Sequence, residues 1–438
     1  MKILLVQSME YLYPWGGAHK ANRILMEGLV DLGHECQVVT PSLDIEGFDE
    51  YLESKKGTHE FEVVEDIPDE LFIIRKKGVL AYTVKGKFQV FPFIKKVIDE
   101  FKPDVVIVSE DNTHLLLETV LETGARTIYL AHSQATLPFG PECFQEDIPK
   151  IELYKKLHGI VSVSDYLKKY FDLYADMDSE VIYFPSYGQG PFPNLAKFDN
   201  PFITVINPSA IKGFSIFIGL ARKMPHLQFA AVPTWATRSE EIEEMQSLPN
   251  VTILKPAENI NDIYKQTKVF LMPSLWGESF GQVVVEAMLR GIPVVASHVG
   301  GLPEAKLYLD YIVPVNPIRE YIKEDVLATK VPVAVIPEQN LDPWIEVLNK
   351  LTSDQEHYDT LSEDSYIKAA EFNAGLGIKA FESYFQRVID HTTSILSDGD
   401  APERQSKEGL GKQDLLERIS KLPPEKREQL LAALQERR

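Results

Sequence analysis

The sequence predicts an α/β protein of two Rossmann-like doubly wound domains facing a cleft, with a short α-helical tail. Three observations predict it. Short runs that are apolar throughout alternate with amphipathic segments, as in βαβ units with helices on both faces of a parallel sheet. The pattern runs once to about residue 187, then restarts after the Gly- and Pro-rich stretch YGQGPFPNLAKFDNPF, 187–202. The chain has 438 residues, room for two to three domains.

Element by element, KILLVQS reads as a buried strand and GGAHKANRILMEGLVDLG as a helix, with Leu25, Leu29 and Leu32 near helical spacing. ECQVVTP, DVVIVSE (104–110), TIYLAHS (127–133), GIVSVS (159–164) and VIYFPS (181–186) continue as strands. The second unit has ITVINPS, a helix from Gly213 to about Lys223, and strands LQFAAVP, VTILKP, VFLMPS and PVVASH. Residues 365–395 predict a long amphipathic helix with a break at Gly375 and Gly377. The expected division is 1–187 for the N-terminal domain, 188–365 for the second and 366–396 for a helix packing back on the first. Residues 397–412 are expected as linker and 413–438 as helical tail. Ligands of such sheets bind beyond the carboxyl ends of the strands.

Composition narrows the function. Apolar residues make up 44% and charged residues 25%, which suits large cores and excludes a collagenous or mostly disordered chain. Sixty-five acidic against 45 basic residues give a net charge of −20, which argues against general nucleic-acid binding and allows at most peripheral membrane contact. The two cysteines, Cys36 and Cys143, form no CxxC pair, as expected in a reducing, cytoplasmic setting. No secretory signal is read at MKILLVQSMEYLYP, and no run reaches the ~18 apolar residues of a membrane span.

The densest chemical signal is PSLWGESFGQVVVEAMLRGIPVVASHVGGLPE, 273–304. Glu278 lies in a Gly-flanked loop after a strand, Ser279-Phe280-Gly281 opens a helix, and Glu286 falls within it. Backbone N–H groups there suit a phosphate or sugar oxygen, and two carboxylates spaced E-x7-E suit sugar hydroxyls and a ribose diol. By itself the spacing equally describes a helix with an acidic first turn.

This stretch, with GHECQVVT (33–40), the Gly16-Gly17 turn, VSVSDYLKKY (161–170), IKG (211–213) and NVTILKP (250–256), closely resembles the retaining GT-B glycosyltransferases of family 4 over about residues 1–390. The resemblance implies a GT-B fold and transfer of a sugar from a nucleotide sugar, UDP- or other NDP-linked, to a hydroxyl acceptor. Envelope glycans and natural products are the expected settings. It implies Glu278 and His132 beside the reacting sugar. Donor binding falls to Gly16, Gly17, Asn207, Lys212, Ser279, Phe280, Gly281, Gln282 and Glu286. Gly16-Gly17 also suits an ordinary strand–helix turn, and Lys212 a solvated loop. One departure is that Asn207 stands where the family usually carries an arginine five residues before the lysine, so Lys212 acts alone or with a cation such as Arg238. The family's transfer is usually described as front-face, the leaving phosphate taking the acceptor's proton. No DxD or His/Cys cluster appears, so neither a metal nor a cofactor beyond the co-substrate is expected.

The N-terminal lobe is expected to receive the acceptor. Arg75, Lys76, Lys77, Lys85, Lys87, Lys95 and Lys96, with Tyr82, Phe88, Phe91 and Phe93, occur without an acidic residue from 75 to 96. They read either as a solvated helix-and-loop face or as a site for an anionic or amphipathic acceptor. In the tail, Leu415, Leu416, Ile419 and Leu422, then Leu430, Leu431 and Leu434 beyond Pro423-Pro424, line two helical faces. LPPEKREQLLAAL resembles linker segments of peptide and polyketide assembly lines, implying docking of a protein partner or a second copy. A non-catalytic scaffold working through that tail is the alternative function. An epimerase or phosphorylase fits less well.

Overall fold

The computed structural model describes residues 1–13, 16–42, 48–55, 57–86, 88–257, 259–322 and 333–397. Lys87 and residues 398–438, with the leucine faces read there, lie outside the described residues.

Nine strands form the first sheet, in the order β3-β4-β5-β2-β1-β6-β7-β8-β9. These are β1 (Lys2–Gln7), β2 (Glu35–Pro41), β3 (Glu62–Ile67), β4 (Leu71–Lys76), β5 (Val79–Val84), β6 (Val105–Ser109), β7 (Thr127–Ala131), β8 (Gly159–Ser162) and β9 (Glu180–Val181). Every pairing from β5 across to β9 is parallel, whereas β3–β4 and β4–β5 are antiparallel. All five residues of β6 and of β7 are buried, as strands covered on both faces require. Ala21, Leu25, Met26 and Leu29 give helix Gly17–Asp31 the apolar stripe that seats it on the sheet.

The β3–β5 edge corrects the sequence reading. The 75–96 stretch reads as a helix-and-loop face or an acceptor site, and its first part is neither helix nor loop. Instead Lys76 pairs with Val79 across a two-residue turn, Lys77-Gly78, in which both φ values are positive (44° and 81°). Such a turn matches the twist of a tight hairpin.

The second sheet is parallel throughout, in the order β12-β11-β10-β13-β14-β15. It holds β10 (Phe202–Ile206), β11 (Gln228–Val232), β12 (Val251–Ile253), β13 (Thr267–Met272), β14 (Val294–Ser297) and β15 (Ile312–Val313). A small antiparallel hairpin, β16 (Tyr321–Ile322) with β17 (Val333–Ala334), follows. The 365–395 segment belongs to two helices, Gln355–Ala374 and Ile378–Ser397, parted at Gly375–Gly377. The first starts at Gln355 because the Asp354 carboxylate accepts from His357 N, 3.0 Å, and caps it.

Met1–Gln386 forms one compact unit, which contains both sheets. In it the start of the last helix lies on the N-terminal lobe. His34 Nε2 and Glu382 Oε1 are 2.8 Å apart, the Phe381 and Phe184 rings 4.6 Å. Gly28 leaves the room that Ile378 fills. From Arg387 the chain belongs to a second unit, of which 387–397 continue that helix. No described helix is long and apolar enough to cross a membrane.

Candidate functional site

The site is built on loops at the carboxyl edge of the second sheet. Three glycines let these loops touch. Gly213, at φ 79°, follows the Ala210–Lys212 turn and lies where any Cβ would overlap the Pro273 carbonyl. Gly300, at φ 53°, would bring a Cβ within 2.5 Å of the Glu278 backbone, and Gly301 within 2.6 Å of the Ser279 carbonyl. Gly301 N also donates to Glu278 O at 2.6 Å. The IKG and GGLPE motifs are thus packing requirements that press the Lys212 turn and the 299–301 loop against residues 273–279.

The Glu278 carboxylate sits where they meet, 7% exposed. Its Oε1 accepts from Lys212 Nζ at 2.6 Å, Ser274 Oγ at 2.6 Å and Trp276 Nε1 at 2.9 Å. The Lys212 ammonium also lies 4.9 Å from the centre of the Trp276 ring. Gly281, at φ 103°, precedes helix Gln282–Met288, which carries Glu286. The Phe280 side chain points into the core, against Tyr183 and Phe372, so its backbone alone serves the loop.

Helix Gly17–Asp31 of the first lobe meets this helix. A Cβ on Gly17 would stand 3.3 Å from Gln282 Oε1, and Lys20 Nζ lies 3.5 Å from Glu286 Oε1. Asn22 on the same helix orients His132. Gln7 Nε2 donates to Met9 O and Ser109 Oγ to Leu130 O, leaving Gln7 Oε1 and Ser109 Oγ to accept from Asn22 Nδ2 at 2.9 and 3.1 Å. Asn22 therefore turns Oδ1 to His132 Nε2, 2.7 Å away, and that nitrogen carries the proton. His132 Nδ1 remains as an acceptor. Burial, reinforced by His19, pushes the His132 pKa down to about 3, so the ring is neutral at pH 7. Beside it, burial lifts Glu110 to about 7, although its carboxylate accepts from the His132 backbone N–H.

The sequence did not reveal the bridge between the lobes. Gln134 Nε2 donates to Gly277 O, and Ser279 Oγ donates to Gln134 Oε1 at 2.8 Å. Glu142 accepts from Gly277 N at 2.9 Å, Tyr166 Oη at 2.7 Å and Gln134 Nε2 at 2.8 Å. Ser164 caps helix Asp165–Ala175 and donates to Ser279 O. Glu304, from GGLPE, accepts from Asp165 N and Tyr166 N at the start of that helix and from Tyr183 Oη. Burial raises the pKa of both Glu142 and Glu304.

With this geometry in view, residues 15–184 match the family model of Glycosyltransferase Family 4, and residues 207–323 that of Glycosyl transferases group 1. The chain carries two glycosyltransferase domains on a GT-B fold. An uncharacterized 42.6 kDa protein in the cps region of Klebsiella pneumoniae is 25% identical over 348 residues, 71% of this glycosyltransferase and 89% of its own length. D-inositol 3-phosphate glycosyltransferase of Mycolicibacterium vanbaalenii is 45% identical over 64 residues, so the chain spans 14% of that relative's length, and 14% of this chain is matched. Sucrose-phosphate synthase of Thermosynechococcus elongatus superposes with a TM-score of 0.62 at 15% identity, covering 90% of this chain and 99% of that one. Anabaena HepE in complex with UDP-glucose gives 0.61 at 16%, covering 90% and 100%. At these identities the likeness is one of fold.

Two expected features of the glycosyltransferase take a different form. Asn207 has φ 58°, and its Oδ1 accepts from Ala236 N at 3.1 Å and Thr237 Oγ1 at 3.5 Å. It holds the loop after β11 in a backbone conformation that Asn tolerates well. Arg238, on that loop, is exposed. The basic stretch is not a bare positive face. Lys77 pairs with Glu27, Lys85 with Asp66, Lys95 with Glu122, Lys96 with Glu100 and Arg75 with Glu62, while Lys76 donates to Glu60 O. All those acids lie outside residues 75–96, where the sequence window could not show them. Among the described residues, no group of three or more His, Cys, Asp or Glu is placed to hold a metal ion.

Proposed function

We propose that this glycosyltransferase moves a hexosyl unit, with retention at the anomeric carbon, from a nucleotide sugar to a hydroxyl acceptor during envelope glycan synthesis. One observation carries the reading. Lys212 pairs with Glu278 at one sheet edge, and Gly17 and Lys20 of the other lobe meet Gln282 and Glu286 on the helix that follows the Glu278 loop. The cps-region relative supports a glycan setting, and the UDP-glucose bound to HepE supports a UDP-linked donor.

In this reading Lys212 offsets charge on the departing diphosphate, while Gly16 and Gly17 let backbone approach it. Ser279, Gly281 and Gln282 shape the loop beside it. Glu286 accepts from the ribose diol. Glu278 and the neutral His132, through Nδ1, hold hydroxyls of the transferred sugar. The leaving phosphate takes the acceptor's proton, so positioning and electrostatics replace a strong protein base, and no metal is required.

The test is incubation of the pure protein with UDP-, GDP-, ADP- and dTDP-sugars. Nucleoside diphosphate release is followed, and the product anomer is read by NMR. Release that Glu278→Gln abolishes, with a retained anomer, supports the reading. No release with any donor, or an inverted product, overturns it.

A further inference from the structure

The β16–β17 hairpin brings one more side chain to the site. Ile318 N, just before it, donates to Leu275 O at 2.9 Å, and β17 packs on the Ala210–Lys212 turn. Tyr321, paired with Ala334 across the hairpin, packs against the core of the second lobe. The hairpin thus straddles the two segments that supply Glu278 and Lys212. The Tyr321 hydroxyl is buried and, among the described residues, has no hydrogen-bond partner. Burial and the charges of Glu142 and Glu278 raise its pKa, so it is a donor at any working pH.

A buried hydroxyl left unpaired is rare in folded proteins and costs stability. The two nearby carboxylates differ in what they can offer it. Both oxygens of Glu142 already accept, from Gly277 N and from Tyr166 and Gln134. Glu278 loads three donors onto Oε1, and among the described residues no donor reaches its Oε2. The unused donor is thus carried by a hairpin that contacts both segments holding the unused acceptor. A sugar hydroxyl, which accepts one hydrogen bond and donates another, satisfies both.

We infer that Tyr321 is a sugar-recognition residue, its hydroxyl donating to a hydroxyl of the transferred hexosyl unit that in turn donates to Glu278 Oε2. This rests on the proposed function and extends it to which part of the donor is read.

Tyr321→Phe removes one oxygen and keeps the ring in place. The probe is whichever of UDP-glucose, UDP-galactose, UDP-N-acetylglucosamine and GDP-mannose the wild type turns over, with its monodeoxy hexosyl analogues. Tyr321→Phe is expected to lower kcat/KM roughly 3- to 15-fold with the full donor. Free nucleoside diphosphate should bind as in the wild type, and the melting temperature should hold or rise. With one deoxy donor the wild type should show at least that loss, and with that donor Tyr321→Phe should fall no lower than the wild type. Unchanged kcat/KM in Tyr321→Phe, equal further losses with every deoxy donor, or weaker binding of free nucleoside diphosphate would each overturn the inference while leaving the transferase reading intact. A wild type that turns over none of the donors overturns both.

Discussion

Glu278→Gln separates the charge of the Lys212–Glu278 pair from its geometry. In the wild type the ammonium is 2.6 Å from Oε1, and the two side chains are 13% and 9% exposed. A diphosphate at Lys212 must compete with that carboxylate. Glutamine keeps an acceptor for Ser274 and Trp276 but removes the charge. Breaking one partner of a buried pair costs about 3–5 kcal/mol, and the amide oxygen that stays behind reduces this to about 2–3 kcal/mol of stability. The freed ammonium then bonds the diphosphate with nothing to displace. A hydrogen bond to a charged group contributes about 1.5–3 kcal/mol, so UDP affinity should rise roughly 10- to 150-fold. Turnover should fall, because the proposed sugar contact is weakened. Calorimetry of UDP binding to wild type, Glu278→Gln, Lys212→Met and the double variant measures it. Saturating UDP should also raise the melting temperature more in Glu278→Gln than in wild type. Equal or weaker UDP binding by folded Glu278→Gln would refute the competition. So would an equal gain in the Lys212→Met background.

Gly213→Ala should lower stability by about 2–4 kcal/mol and abolish UDP binding, since its Cβ would push the Lys212 turn off the Pro273 carbonyl; melting curves and calorimetry report both. Asn207→Arg should cost about 2–3 kcal/mol and leave UDP binding no tighter, because it orphans Ala236 N, whereas Asn207→Asp should retain the loop. The folded His132 pKa of about 3 lies below the ordinary 6.5, so its contribution is full above pH 6.5 and falls as the pH drops toward 3. The stability gap between wild type and His132→Gln should shrink by about 1.4 kcal/mol per pH unit from 6.5 to 4.5, checked by urea melts. Buried Glu110, raised to about 7, acts with the opposite sign, which is why the difference between proteins and not the wild-type curve is the readout. Deleting 400–438 should leave UDP binding and donor hydrolysis unchanged, and sedimentation of both forms tests whether the tail mediates association.

What was legible in the sequence is what short-range pattern encodes. Strands β1, β6, β7, β13 and β14 announced themselves because burial on both faces makes their central residues apolar. The glycines of IKG and GGLPE were visible as motifs, but the carbonyls they approach were not. The β4–β5 hairpin went unread as strands because Arg75, Lys76, Lys77 and Lys85 dominate a stretch whose buried residues are Phe72, Ile73, Ile74, Val79, Ala81 and Val84. Asn207 was noticed for the charge it lacks; its left-handed backbone and its bond to Ala236 are tertiary facts. Gln134 and Gly277 meet across a separation of 143 residues, and Ser164 and Ser279 across 115, so no local window contains either pair. Tyr321 sits in a two-residue strand, too short to leave a period.

The bridge that the sequence hid explains how the two lobes share one loop, residues 277–279. Residues 277–279 carry Glu278 between two anchored neighbours. Gly277 is bonded through its N–H to Glu142 and through its carbonyl to Gln134, while Ser279 is bonded to Gln134 and Ser164. Every one of those partners belongs to the first lobe, whereas Lys212, Ser274 and Trp276, which grip the Glu278 carboxylate, belong to the second. Parting the lobes would break the backbone anchors while leaving the carboxylate held by its own lobe. The backbone position of Glu278, though not the grip on its carboxylate, therefore depends on the contact between the lobes. If Glu278 holds the transferred sugar as proposed, that coupling ties assembly of the sugar site to exclusion of solvent. Glu142→Gln keeps the shape of that bridge and one of its two accepting oxygens but removes its charge. It should therefore raise the ratio of donor hydrolysis to transfer before it lowers nucleotide affinity, and an unchanged ratio would separate Glu142 from closure.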